Sequence, residues 1–170
     1  MKKKYGWIAA LSAFLVMNIV LFSWINAWMG QPTLDTVIVR LERSGFSVSA
    51  RQLDEGLLRG RPVGLWLDGG EAPAVLVYRY LSAERAREEA ACIAPDASSL
   101  TFPQEAGAQS STAVDWAGPP HFYLYRNSIL QYVGSDQAVL SALEGLCGKP
   151  FAGEGRQAGE GTALFTEAGG

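Results

Sequence analysis

Residues 74–94 read AVLVYRYLSAERAREEAACIA, and residues 129–148 read ILQYVGSDQAVLSALEGLCG. The two stretches follow the same order: an extended apolar run, then a serine (Ser82, Ser135), then apolar residues at helical spacing. In the first, Ala83, Ala86, Ala90 and Ile93 share one helical face as far as about Ala94, and Pro95-Asp96 stops the helix. In the second, Val139, Leu140, Leu143 and Cys147 share a face and Gly148 stops it. A serine hydroxyl at either start can accept from a first-turn N–H, so both serines are read as caps. Each extended run is also the second arm of a hairpin. Val63, Leu65 and Leu67 alternate, Asp68-Gly69-Gly70 turns the chain, and Ala74 to Tyr80 returns. His121 to Tyr125 and Ile129 to Val133 are joined at Asn127-Ser128. Two hairpins feeding two helices predict an α+β fold, an antiparallel sheet with helices packed on one face. The pattern fits an internal repeat, and equally any pair of ββα units.

Reading outward, Pro32-Thr33 opens an earlier helix. Thr33 is placed to cap it, and Leu34, Val37, Ile38 and Leu41 form its inner face. Asp35 favours its positive end and Gly45 ends it. Phe46, Val48 and Ala50 alternate with Ser47, Ser49 and Arg51, the pattern of a half-buried strand. Leu53 to Arg61 is irregular. Residues 97–112 are rich in Ser, Ala, Gly and Gln and are expected to form a flexible loop, followed by a strand from Thr112 to Trp116 and a break at Gly118-Pro119-Pro120. The expected order over 31–153 is αβββαβββα, with Arg51, Trp66, Arg79 and Arg126 on the opposite, partly solvated sheet face. Residues 154–170 are too poor in apolar groups to build a core and are expected to be a disordered tail.

The amino-terminal part is of another kind. Lys2, Lys3 and Lys4 precede a run from Tyr5 to Leu34 that carries no charge, and every acidic residue lies from Asp35 onward. Trp7 to Met29 reads WIAALSAFLVMNIVLFSWINAWM, 23 residues. As a helix it is roughly 34 Å long at about 1.5 Å per residue, enough to cross a bilayer core of about 30 Å with some tilt. Trp7, Trp24 and Trp28 lie towards its ends, where indole rings prefer the interface, and the lysines place the amino end in the cytoplasm. Residues 1–6 are therefore expected to be a cytoplasmic basic tail, 7–29 a transmembrane signal anchor and 31–153 an extracytoplasmic domain. A signal peptide cleaved near Ile25-Asn26-Ala27 and a buried core helix are the alternatives. The first two readings export residues 31–170.

Chemistry-bearing motifs are sparse. A net charge of −3 argues against nucleic acid as a partner. One histidine and two cysteines exclude a multi-histidine or four-cysteine metal site, and no calcium loop, glycine-rich phosphate loop or nucleophile elbow occurs. No cofactor, no metal and no enzymatic activity are expected. His121 is the one imidazole, so any serine or cysteine hydrolase mechanism would run through it. Cys92 and Cys147 lie near the ends of the second and third helices. If both helices descend onto one sheet face, an exported chain would bond them; two small buried thiols are the other reading. Trp116, His121, Tyr123 and Tyr125 are the candidate binding residues. Alternation puts His121, Tyr123 and Tyr125 on one face, opposite Phe122, either exposed to a peptide or glycan or packed under a helix or the 97–112 loop.

From Val114 to Gly153 the chain resembles a family of small bacterial lipoproteins of unknown function. The resemblance rests on W-x-G-x-P-H-F-Y (Trp116, Gly118, Pro120, His121, Phe122, Tyr123), a strand ending in Tyr132-Val133-Gly134, a short helix, and a closing Gly148 and Phe151-Ala152-Gly153. Upstream, VLVYRYLSAERAREEAACIAPDASS resembles the family's strand, alanine-rich helix and I-x-P-D-G segment, with Ala97 where the family has glycine. Together the likeness covers about residues 33–153. Two departures stand out: the lipidated cysteine is missing, so anchoring would fall to the apolar helix, and Cys147 replaces the leucine before the closing glycine, which favours the cysteine pair. The resemblance implies a bacterial, extracytoplasmic protein and brings no activity. The expected function is a non-catalytic binding or accessory module of the cell envelope, with the membrane and an envelope protein as partners. A structural subunit with no ligand site of its own is the alternative, and an envelope hydrolase using His121 the remote one.

Overall fold

The computed structural model describes Met17, residues 33–104 and residues 108–155. Apart from Met17, the apolar segment 7–29 lies outside the described residues, as does the tail from 156. Among the described residues no helix is long and apolar enough to cross a membrane.

Residues 33–43 are helical and form α1. There follow β1 (Val48–Gln52), β2 (Arg61–Leu67), β3 (Val75–Arg79), α2 (Ala83–Ala90), β4 (Ser99–Pro103), β5 (Gln109–Ala113), β6 (Pro120–Tyr125), β7 (Ser128–Val133), α3 (Gln137–Cys147) and the short β8 (Ala152–Gly153). Six strands make one antiparallel sheet in the order β1-β2-β3-β7-β6-β8, so the two hairpins read in the sequence meet along β3 and β7, with Val77 opposite Leu130. Asp68 and Gly69 both take positive φ at the β2–β3 turn, as an Asp-Gly two-residue turn requires. The second turn falls at Arg126-Asn127, one residue earlier than expected, with Arg126 at φ 54°.

The α+β class and the antiparallel sheet stand, but the helices do not share a face. α1 contributes Val37 and Leu41, and α3 contributes Val139, Ala142 and Leu143, to a core over Val63, Leu65, Val75, Val77, Tyr123 and Leu130. The opposite face carries a second core of Leu58, Tyr78, Ile93, Leu100, Phe122 and Ile129, roofed by the end of α2 and by the β4–β5 hairpin. α2 is also shorter than expected: Ala91 and Cys92 are already a turn, and Ile93 pairs with Leu100 instead of extending a helix to Ala94. The 97–112 region is therefore largely a hairpin, Ser99 opposite Ala113 through Pro103 opposite Gln109, and not a flexible loop. Its serines and threonines alternate with Leu100 and Phe102, which pack into the second core.

Two caps differ from expectation. Ser82 accepts from Arg85 N–H as read, but α3 is capped by Asp136, whose carboxylate accepts from Ala138 and Val139, and not by Ser135. Thr33 is itself helical, and its hydroxyl donates to Asn127 Oδ1 at 3.2 Å instead of capping α1.

Candidate functional site

The four aromatic candidates do not form one surface. His121, Tyr123 and Tyr125 point to the α1/α3 side, as alternation predicts, and Trp116 packs on the other side, edge-on to Phe122 with centroids 5.7 Å apart. The Trp116 indole donates to the carbonyl of Ala97 at 2.7 Å, so its polar edge is spent inside the fold. Tyr123 is fully buried and its hydroxyl has no partner; burial pushes its phenol well above the usual range. Tyr125 is half-buried under the Arg126 guanidinium, 5.3 Å above the ring. Of the two arrangements expected, exposed or packed, His121 and Tyr123 show the packed one, with Tyr125 and Trp116 half-buried.

His121 is 5% exposed. Its Nδ1 faces the Glu154 carbonyl at 3.0 Å and its Nε2 the Gly134 carbonyl at 3.1 Å, and the ring stacks on Tyr132 at 5.9 Å. Tyr132 in turn accepts the Asp136 N–H through its hydroxyl. Both ring nitrogens face backbone carbonyls and the ring is buried, so neither presents a lone pair to solvent. What it does is join the β8 segment to the bend before α3. Backbone bonds from Gly153 to Pro95 and from Glu154 to Pro120 complete that closure. Gly153 sits at φ 89°, and a methyl there would collide with the Pro120 carbonyl.

The cysteines are both free and lie on opposite sides of the sheet. Cys147 packs against the α1/α3 core, where burial raises its thiol from 9.0 to about 12. Cys92, after α2, has a thiol raised first by burial and then by the Glu89 carboxylate, with Arg59 opposing. A bond between them would have to pass through the sheet, so the disulfide is withdrawn.

Two groups of polar residues escaped the sequence reading. Behind α2, the buried Glu89 accepts the Arg59 backbone N–H at 2.7 Å, beside a buried Tyr80 hydroxyl with no partner of good geometry. Burial, and then the Glu89 charge, push the Tyr80 phenol far up. A carboxylate already committed to a backbone donor ties the 53–60 connection to α2. On the α1/α3 side, at the end of the sheet where α1 begins, the register sets Arg61 opposite Arg79 and Arg79 opposite Ser128. Arg79 donates to Gln52 Oε1 at 3.2 Å while its Nε is buried without a partner. Burial and the neighbouring Arg61 charge both lower the Arg79 guanidinium. Ser128 is wholly buried and its hydroxyl is unpartnered. Among the described residues the one salt bridge is Arg85–Glu88 on α2, so none of these arginines pairs with a described acid. Arg51, Trp66, Arg79 and Arg126, expected together on one partly solvated face, do not all share it. Instead, Arg51 lies over Trp66 at 5.1 Å on the opposite side from Arg79. The signal for the Arg61–Arg79 pair was present only in the register, two strand ends meeting across a turn.

Among the described residues no group of three or more His, Cys, Asp or Glu side chains could hold a metal ion. Comparison of the chain with protein-family models, curated proteins and solved structures found no match.

Proposed function

We propose that the chain is a membrane-anchored, extracytoplasmic accessory module of a bacterial cell envelope that acts through contacts and not through catalysis. The observation that carries this reading is the uncharged run from Tyr5 to Leu34, preceded by three lysines and followed within a few residues by a folded α+β unit. The burial of His121 and Tyr123 weighs against a ligand-binding aromatic stripe and in favour of the second reading, a structural subunit of an envelope complex with no ligand site of its own. The likeness to small bacterial lipoproteins supports the same location. Fractionation tests the anchor. The intact chain is expected in the membrane pellet after an alkaline wash, and a soluble mature chain beginning near Trp28 would overturn it.

A further inference from the structure

We infer that the sheet end carrying Arg61, Arg79, Leu81 and Arg126 is a docking surface for the anionic phospholipid headgroups of the leaflet from which the chain emerges. The inference rests on the anchored reading above and adds an orientation to it.

Chain length sets the distance. Four steps separate Met29 from Thr33, and at most about 3.6 Å per residue they reach about 14 Å. The Thr33 end of the domain is therefore held within or just above the headgroup layer. Hydrogen bonds show which part of the fold that end is. The Thr33 hydroxyl donates to the Asn127 side chain, Asn127 Nδ2 donates to the Tyr80 carbonyl at 2.8 Å, and Tyr80 N–H donates to the Asn127 carbonyl at 2.9 Å. The start of α1, the tip of the β6–β7 hairpin and the end of β3 are thus one structural corner.

The chemistry of that corner suits a membrane surface. Leu81, directly after Tyr80, is 77% exposed, the most exposed large apolar side chain among the described residues. Arg126 at the hairpin tip and Arg61 at the start of β2 are exposed, and Arg79 lies between Arg61 and Ser128 in the sheet. An exposed leucine flanked by guanidiniums that pair with no described acid matches a surface where an apolar side chain enters the interface and cations meet phosphates. Guanidinium also binds phosphate oxygens in a planar, bidentate way that ammonium cannot. The acids near this end, Asp35, Asp54 and Glu55, are exposed and form no salt bridge with these arginines. The opposite end of the sheet, at Asp68-Gly69-Gly70, carries the exposed acids Asp68 and Glu71.

The test uses the full chain in nanodiscs, with Cys92→Ser and Cys147→Ala, and a fluorophore attached through either Leu81→Cys or Glu71→Cys. The discs hold phosphatidylcholine and phosphatidylglycerol with a headgroup-nitroxide lipid. The label at position 81 is expected to lose most of its emission and the label at 71 little. Replacing phosphatidylglycerol with phosphatidylcholine, or adding Arg61→Gln with Arg126→Gln, is expected to restore much of the emission at 81. Equal quenching at both positions, or quenching at 81 that ignores lipid charge and the arginine substitutions, would overturn the inference. In either case, nitroxide quenching of the anchor tryptophans would leave the anchored reading intact. A chain that does not co-elute with the discs would instead sink the anchored reading itself. Hydrogen exchange on the unsubstituted chain gives a check free of cysteine changes. Amides of Leu81 and Arg126 are expected to slow in phosphatidylglycerol discs relative to detergent, with those of Gly69 and Gly70 unchanged, and no slowing at Leu81 and Arg126 contradicts the contact.

Discussion

At the residue scale, His121 and Ala97 carry the sharpest consequences. The His121 ring lies between two backbone carbonyls, donates an N–H to at least one of them and stacks on Tyr132, so His121→Ala leaves a buried acceptor unpaired and removes the packed ring. A loss of about 2 to 3 kcal/mol is expected, read from the midpoint of a denaturant melt; an unchanged midpoint would mean that the β8 closure is held by the backbone alone. Ala97 is buried with φ 59°, a left-handed conformation that costs a side-chain-bearing residue roughly 1–2 kcal/mol. Ala97→Gly relieves that strain and is expected to be neutral or to stabilise by up to about 1 kcal/mol, although glycine loses more entropy on folding. The same melt decides it, and a clear loss of stability would show that the alanine methyl packs better than the strain costs. Pro-Asp-Ala gives no sign of positive φ, so this left-handed turn was not legible in the sequence.

At the element scale, periodicity placed β1, β2, β3, β6, β7 and the three helices, because each buries one face and its apolar residues recur at the matching period. It failed where the period is short or the apolar content low. β4 and β5 are mostly Ser, Thr and Gln, and they become a hairpin because Leu100 and Phe102 cover the second core. Nor could the sequence say which side of the sheet each helix takes. Equivalent hairpins suggested equivalent helices, but Ile93 ends α2 by pairing with Leu100, and the chain stays on the far side. That difference separates the cysteines. Both thiols are expected to react with iodoacetamide in the unfolded chain without prior reduction. In the folded chain Cys147, held neutral by burial, is expected to react slowly at pH 8. Intact mass spectrometry reads both, and two unmodified cysteines in the unfolded, unreduced chain would contradict the separation.

For the whole molecule, the face of His121, Tyr123 and Tyr125 was legible from alternation, but their exposure was not. Burial depends on whether α3 and α1 cover that face, a long-range matter that local pattern does not encode. The Arg61–Arg79 pair was illegible for the same reason, since strand register brings together residues distant in the chain. His121 and Tyr123 are spent inside the fold, and Leu81, the most exposed large apolar side chain among the described residues, lies at the corner where α1 begins. In the proposed reading the domain stands outside the membrane on a short tether. Protease added to intact spheroplasts tests this most directly, with mass spectrometry of what stays in the membrane. The account predicts that residues 33–155 are digested from outside and that a fragment containing residues 7–29 remains in the bilayer with its amino end protected. Full protection of residues 33–155 until the cells are lysed would contradict it.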